Sequence, residues 1–517
     1  MKRKSGTGNV RNGAGRGAQK ATRANAQNEG KLPRVCIVGA GCSGMTAAKA
    51  LKDAGIPFDC YEKGSDIGGL WRFGNDNGMS SVYKSLHINT HRDRMEYRDY
   101  PMPDDYPDYP SHKLIYDYFQ DYARQFGLYE HIQFKTAVSH IEPEPDGTYE
   151  VTLSDGRQIH YDSVMVANGH HWAERWPDPE YPGQKQFKGT QFHAHHYVDP
   201  EKPHNLIGKN VLVVGMGNSA MDIATEISRP GLAKNVFLSG RRGAYVFPKY
   251  LFGKPFDKLT EAFPVWVPFW FKEAVASLIF RLAVGKMSSF GLPEPDFSIG
   301  QAHPTISNEI LGRLGSGDLA YRPGIEKMDA KNVYFVNGGS EQIDVIIWCT
   351  GYDVKFPFFD QDFISAPDNY LPLFHRAIQP ERPGICFVGL LQPLGPVMPL
   401  SEAQSKWYAK YLTGDYALPT EQFMHRFMER EQKVMAKRYV QSARHTMQVD
   451  FELFLAELEK ESRQGQQRAR KQENQLNVLP LAHNYPETRT GRSSRASGRD
   501  RAGRSGGTGK RALSARR

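Results

Sequence analysis

The sequence predicts an α/β protein with two Rossmann-like domains, the second inserted into the first, and disordered basic tails. The main observation is that an apolar strand, a glycine-rich turn and a helix pattern follow one another twice, from residues 33 and 209. Strand patterns return after residue 331, which indicates a sheet shared by early and late parts of the chain. Charge also divides the chain into a folded body and two tails.

Both ends of the chain are basic and poor in apolar residues. Residues 1–31 carry eight lysines and arginines and one acid, and residues 463–517 carry fourteen and three. Because the formal charge of all 517 residues is only +9, the middle is acidic. We expect disorder over 1–32 and 463–517. Solubilising ends are favoured over salt-sensitive binding to nucleic acid or membrane, since aromatic residues are not interleaved with the charges, and no specific nucleic-acid partner is expected.

The order of the patterns predicts interleaved domains. Residues 33–170 and 331–462 are expected to form the first domain, and 205–330 the second, with an aromatic, proline-interrupted insertion at 247–300. The elements expected within them are strands over 35–38 and 58–62, helices over 43–54 and 114–126, short strands over 132–166, strands over 333–336, 343–349 and 384–389, and helices over 401–412 and 420–440. Ser401 and Gln404 have the spacing of a capping box at the start of the helix over 401–412.

The first glycine-rich turn has the features of an FAD-binding loop. Gly39, Gly41 and Gly44 follow the strand over 35–38, so a pyrophosphate can lie at the start of the next helix. Glu62 ends the following strand, where its carboxylate would accept hydrogen bonds from a free ribose 2′-OH and repel a 2′-phosphate. The turn therefore predicts FAD.

The second turn predicts NADPH instead. Its glycine positions are followed by a helix start, and two arginines stand just after the next strand, where they attract a 2′-phosphate. The residues expected to hold NADPH are Gly215, Gly217, Asn218, Ser219, Ala220, Arg241 and Arg242.

Cysteine spacing and hydropathy limit the cellular setting. The five cysteines show no CxxC spacing, and the N-terminus has no apolar signal region, so a reducing cytoplasm is expected. The most apolar stretch, 263–284, contains two prolines and three charged residues, so no transmembrane span is expected. Residues 265–271 are rich in aromatics and leave two possibilities open, peripheral membrane contact or an aromatic lid over the domain cleft.

These motifs resemble those of class B flavoprotein monooxygenases, within them the flavin-containing monooxygenase family. The resemblance covers about residues 33–460. It rests on the two turns and on four further segments: Phe187–Tyr197, which fits FxGxxxHxxxY; Cys349–Tyr352, similar to a late A-T-G-Y signature; 389–407, similar to a flavin-facing stretch; and Tyr83–Thr90, similar to Y-x-S-x-x-x-N-[ST].

The linker motif ends in Tyr197, where Baeyer–Villiger relatives usually carry Trp, which favours oxygenation of heteroatoms. We interpret His193 as a linker histidine held by hydrogen bonds rather than a chemical group. His170, His171, His195 and His196 lie nearby, but no Cys, Asp or Glu stands at ligand spacing, so no metal site is expected.

The resemblance implies how the site works. NADPH reduces FAD, O₂ gives a C4a-hydroperoxyflavin, and one oxygen atom passes to a soft nucleophile. Asn89 is the expected catalytic residue, since a neutral amide can donate to the hydroperoxide and accept from the nicotinamide amide. The residues expected to bind FAD are Gly39, Gly41, Ser43, Gly44, Glu62, Leu70, Trp71, Asn89, Thr90, Val138, Gln392 and Gln404.

The leading hypothesis is an enzyme that oxygenates small N- or S-containing molecules with NADPH and O₂. Baeyer–Villiger oxygenation of ketones and uncoupled NADPH oxidation to peroxide remain alternatives. A non-enzymatic, redox-sensing flavoprotein is disfavoured, since a binding module has little use for a second nucleotide site. The substrate and the oligomeric state cannot be predicted from these motifs.

Overall fold

The computed structural model describes residues 32–261, 266–439, 446–471 and 489–490. The strands are β1 Val35–Val38, β2 Phe58–Tyr61, β3 Ile132–Gln133, β4 Val138–Pro143, β5 Tyr149–Leu153, β6 Arg157–Tyr161, β7 Ser163–Val166, β8 Ala173–Glu174, β9 Thr190–His193, β10 Asn210–Val214, β11 Asn235–Ser239, β12 Val246–Phe247, β13 Tyr250–Leu251, β14 Lys254–Pro255, β15 Thr305–Ile306, β16 Ala320–Arg322, β17 Ile325–Met328, β18 Asn332–Phe335, β19 Ser340–Gln342, β20 Val345–Trp348, β21 Tyr352–Asp353, β22 Ile378–Gln379, β23 Arg382–Phe387, β24 Gln392–Leu394, β25 Gln448–Asp450 and β26 Arg489–Thr490.

The α-helices are α1 Cys42–Asp53, α2 Arg92–Met95, α3 His112–Gln125, α4 Asn218–Ile227, α5 Phe256–Glu261, α6 Phe269–Ala283, α7 Ile310–Gly315, α8 Met398–Leu412, α9 Glu421–Arg438 and α10 Phe451–Arg470. Short 3₁₀ turns join several of them, among them Gly69–Trp71 after the first unit. In the described part of the chain, no helix is long and apolar enough to cross a membrane.

Two parallel sheets organise the molecule, which confirms the predicted α/β class. The first sheet has the order β22-β23-β7-β1-β2-β3, parallel except for β22. The second has the order β16-β11-β10-β20-β9 and is parallel throughout. An antiparallel sheet of β4, β5, β6 and β26 joins the first sheet through a shared apolar cluster.

The strand over 343–349 corrects the predicted division of the chain. It was assigned to the first domain, but β20 pairs with β10 and β9 and therefore belongs to the second sheet. β9 also lies there, although it precedes the second unit in sequence. A fully buried apolar strand carries no mark of its partner sheet, so its pattern alone could not distinguish the two.

The two chain connections between the sheets run side by side. β8 lies on the way to the second sheet and β21 on the way back, and they pair as an antiparallel ribbon. The guanidinium of Arg175 is 2.8 Å from a carboxylate oxygen of Asp353 across this ribbon.

Helix α8 begins three residues before the predicted capping box. Ser401 therefore lies inside the helix, where its hydroxyl donates to the Val397 carbonyl at 2.9 Å and contacts the Ser43 hydroxyl at 3.1 Å. Thr46 and Ser405 form a second contact of this kind at 3.2 Å. These small hydroxylated residues let α8 pack closely against α1.

The first residues of the predicted C-terminal tail are helical instead. Helix α10 continues to Arg470, eight residues past the expected boundary, and Arg468 donates to the Ala417 carbonyl at 3.0 Å. The predicted N-terminal tail up to residue 31 and most of the C-terminal one lie outside the described residues.

Candidate active site

The first glycine turn lies at the carboxyl ends of β1 and β7, where strand order reverses in the first sheet. Gly39 has φ +96°, and a Cβ there would lie 2.8 Å from the Ala167 carbonyl oxygen. A Cβ on Gly44 would lie 1.9 Å from the Gly39 oxygen, so helix and turn approach to backbone contact. A Cβ added to Gly41 would lie 3.6 Å from Gly69 Cα, an ordinary van der Waals contact. This is the shape expected of a cradle for a dinucleotide pyrophosphate.

Glu62 is fixed beside this cradle. Its carboxylate is buried and accepts hydrogen bonds from the Ala40 amide at 2.8 Å, the Gly64 amide at 2.7 Å and the Asn77 side chain at 3.1 Å. Each carboxylate oxygen has two acceptor positions, and three of the four are used, so one position remains for a ribose hydroxyl. Asn77 was missed by the sequence analysis, because no motif links it to the turn.

The remaining residues expected at FAD surround the same edge. Leu70 and Trp71 are half-buried in the 3₁₀ turn whose Gly69 faces Gly41. Val138 starts β4, two residues after Thr136, whose amide donates to the Glu62 carbonyl at 2.9 Å. The Ser43 hydroxyl lies under Gly389, where a Cβ would be 2.2 Å from it.

The Gln404 side chain hydrogen bonds to backbone groups and does not line an open surface. Its fully buried amide accepts from the Gly389 N–H at 3.0 Å and donates to the His375 carbonyl at 3.1 Å. Gln404 therefore ties the segment after β23 to α8. Gln392 is half-buried at the start of β24, with its N–H donating to the Met447 carbonyl at 2.9 Å.

The buried ring of His375 also packs beside this segment, between Phe374 and Trp407. Its backbone has φ +46°, in the left-handed region. Burial and the neighbouring Arg376 lower the pKa of His375 to about 3. The ring is therefore neutral at physiological pH.

The second turn repeats the geometry of the first. Gly215 has φ +140°, and a Cβ there would lie 2.5 Å from the Cys349 oxygen at the end of β20. Asn218, the first residue of α4, accepts from the Ile306 amide at 2.8 Å, and the Thr305 hydroxyl donates to the Met216 carbonyl at 2.9 Å. β15 was not associated with the turn by sequence, because nearly ninety residues separate them.

The residues predicted to hold NADPH after this turn differ in their exposure. Ser219 is exposed and Ala220 fully buried in the first turn of α4, and Gly217 caps this helix. Arg241 and Arg242 follow β11 and are exposed; Arg242 lies 3.8 Å from Asp296. A surface pair of this length is weak and can yield to a phosphate.

The linker and late motifs meet at the same edge of the second sheet. The His193 ring lies 5.3 Å from that of Tyr352, and its Nδ1 accepts from the His195 amide at 3.1 Å. Burial lowers the pKa of His193 to about 4, so it is neutral and held by hydrogen bonding. His196 instead pairs with Glu174 at 2.5 Å.

Asn89 lies on a segment that joins the two domains. Ile88 before it is buried, and Asn89 and Thr90 are half-buried. The side-chain amide of Asn89 makes no hydrogen bond to any described residue. Upstream, Tyr83 donates to Asp222 on α4; downstream, Tyr97 donates to the Cys42 carbonyl at the start of α1 at 2.8 Å. The segment therefore runs from the helix of one cradle to the helix of the other.

Two glycine cradles at two sheet switch points, one beside the buried Glu62 and the other followed by the exposed Arg241 and Arg242, have the geometry of a flavoprotein oxidoreductase that holds two dinucleotides. The family described as Flavin-binding monooxygenase-like matches residues 32–464, and the chain belongs to this family. It is an FAD-dependent monooxygenase, and the predicted pair of FAD and NADPH is confirmed.

Similar proteins agree with this family. The chain is 37% identical to flavin-containing monooxygenase 5 of Oryctolagus cuniculus over 435 aligned residues. The alignment covers 81% of this chain and 80% of that protein. It is 33% identical to dimethylaniline monooxygenase [N-oxide-forming] 2 of Cavia porcellus, over 76% of this chain and 75% of that protein. The structure of S-allyl-L-cysteine S-oxygenase from Allium sativum has a TM-score of 0.62 and 25% identity, covering 86% of this chain and 94% of that one.

Proposed function

We propose that this enzyme transfers one oxygen atom of O₂ to a soft nucleophile, a small amine or thioether, with NADPH as reductant. The observation that carries the proposal is the placement of the Asn89 segment between two nucleotide cradles. The names of the two relatives that describe an N-oxide-forming and an S-oxygenating enzyme support the substrate class. Tyr197 at the end of the linker motif supports it over Baeyer–Villiger oxygenation.

Each group of residues has a distinct task in this proposal. Glu62 would hold the ribose of FAD, and Arg241 with Arg242 the 2′-phosphate of NADPH. When bound, the flavin takes up a hydride from the nicotinamide and, with O₂, provides an electrophilic oxygen atom. Asn89 would orient the reacting groups, since its amide can donate one hydrogen bond and accept another. One NADPH, one proton and one O₂ then give the oxygenated product, NADP⁺ and water.

The proposal is tested by supplying NADPH with a tertiary amine, a thioether or a ketone, and by measuring organic product and hydrogen peroxide. We expect N-oxide and S-oxide, and less turnover when NADH replaces NADPH. An ester from the ketone alone would favour Baeyer–Villiger chemistry. Peroxide alone, equal to the NADPH consumed, would favour an oxidase.

Asn89→Asp tests the role of the amide. A carboxylate cannot donate a hydrogen bond, and leaving a buried acceptor without its donor costs about 1–3 kcal/mol, which predicts roughly 5- to 100-fold less product. NADPH oxidation persists, because hydride transfer needs no proton from this side chain. Asn337→Asp, in an exposed turn where Oδ1 accepts from Gly339, is the matched control. Unchanged product yield in Asn89→Asp would refute the role.

We further propose that helix α6 makes peripheral contact with a membrane surface. Trp266, just before α6, and Trp270 within it are 81% and 69% exposed, and Leu278 and Leu282 farther along the helix are 59% and 77% exposed. Since these tryptophans face solvent, the alternative of a lid packed over the cleft does not account for them. Helix α6 carries Lys272 and Arg281 against one acid, Glu273, and this positive balance suits an anionic headgroup layer.

A further inference from the structure

The helix that follows the second glycine turn hydrogen bonds to the segment that carries Asn89. On α4, Asp222 accepts from the Tyr83 hydroxyl, and Glu226 accepts from the Ser85 hydroxyl at 2.9 Å. The two acids are four residues apart and therefore lie on one face of the helix. Two residues of the Asn89 segment are thus held by a helix of the other domain.

The linker motif supplies a third hydrogen bond to the same face. The Tyr197 hydroxyl donates to the same Glu226 oxygen that accepts from Ser85, also at 2.9 Å. Its ring meets the Tyr83 ring edge to face at 6.0 Å, and both tyrosines are buried. Burial raises the pKa of Asp222 to about 6. Hydrogen bonds to charged groups are stronger than those between neutral groups, so the hydrogen bonds to Asp222 and Glu226 can hold the loop that carries Tyr83 and Ser85.

The inserted segment holds the peptide immediately before Asn89. Lys249 donates from its ammonium to the Ile88 carbonyl at 3.1 Å and lies 4.8 Å from the centre of the Tyr109 ring. Ile88 also donates through its amide to the Pro110 carbonyl at 3.0 Å. The position of the Asn89 backbone is therefore set jointly by both domains.

We propose that Tyr83, Ser85, Tyr197, Asp222 and Glu226 form an interdomain latch that sets the position of Asn89 according to whether nucleotide occupies the second cradle. Helix α4 begins at that cradle with Asn218, so a ligand that fixes its first turn also fixes the two acids farther along. These five are positioning residues. The inference rests on the proposed function only where product is measured.

The latch is tested by amide hydrogen exchange over residues 83–90 of the FAD-loaded protein, with and without NADP⁺. In the unmodified protein we expect NADP⁺ to slow this exchange. In Tyr83→Phe and Tyr197→Phe, which keep side-chain size and remove the donor hydroxyl, we expect the protection by NADP⁺ to fall at least tenfold, since one such hydrogen bond contributes about a factor of ten. Tyr334→Phe, which removes a 2.7 Å bond to Asp329 in a distant sheet, serves as control and should match the unmodified protein.

A second readout is the share of consumed NADPH that ends as peroxide. We expect this share to rise several-fold in the latch variants and not in the control, because a mispositioned Asn89 leaves oxygen transfer unassisted. Ser85→Ala, at an exposed position, replaces Tyr83→Phe if the latter does not fold. Equal exchange in latch variants and unmodified protein would overturn the latch. Altered exchange in a protein that oxygenates no substrate would leave the latch standing and refute the proposed function.

Discussion

Gly44→Ala should weaken FAD binding far more than the gain of one methyl group suggests. Its Cβ would lie 1.9 Å from the Gly39 carbonyl oxygen, whereas real contacts of this kind stay above about 3.0 Å. Helix α1 and the turn must therefore separate by about 1 Å, and overpacking of this size costs about 1–3 kcal/mol. Because the turn is the cradle, we expect roughly 10- to 100-fold weaker FAD binding. Flavin absorbance per protein after dilution and dialysis measures it.

Gly312→Ala is the matched control for this change. Gly312 also lies in a helix, but no heavy atom comes within 4 Å of its added Cβ. Alanine is a better helix former than glycine by about 1 kcal/mol, so we expect full FAD content and an equal or slightly higher Tm. Gly44→Ala with unmodified FAD affinity and Tm would refute the argument that backbone contact shapes the cradle.

Two further predictions concern stability and membranes. Because the pKa of His375 is about 3 in the folded protein and 6.5 for an exposed histidine, the unfolded chain takes up this proton first as pH falls, and stability is lost between pH 6.5 and about 3. Between pH 8 and pH 5, the unfolding free energy of His375→Asn in urea titrations should fall by about 2 kcal/mol less than that of the unmodified protein. His204→Asn, at an exposed site, should behave as the unmodified protein does. Equal losses in both variants and the unmodified protein would contradict the assignment of this pH dependence to His375. The holoprotein should float with anionic vesicles, and Trp266→Ser with Trp270→Ser should abolish flotation; flotation that survives both substitutions would exclude α6 as the contact.

The two glycine turns could be predicted because their chemistry is local. The positive φ at Gly39 and the backbone contact at Gly44 both require glycine, so the two positions form a spacing that can be recognised in the sequence without the rest of the fold. Glu62 was equally accessible, since it ends the next strand. The hydrogen bonds from Thr305 and Ile306 to the second turn could not be predicted, because contacts between distant segments produce no fixed spacing in the sequence.

Other features were ambiguous for identifiable reasons. β20 is buried on both faces, and its apolar run does not specify which sheet it joins. Ser401 and Gln404 have capping-box spacing, yet one contacts a neighbouring helix and the other holds a loop. Asp222 and Glu226 have the spacing of a solvated helix face, and only their distant partners show that they are buried or bonded.

The ribbon of β8 and β21 bears on how the two cradles can move. The chain reaches the second sheet and leaves it through segments that hydrogen bond to each other and share the Arg175–Asp353 pair. A rotation of one domain against the other therefore twists a single double-stranded hinge, and neither connection has to stretch. We expect such motion to follow one axis, with little change in the distance between the sheets near the hinge and the largest change far from it.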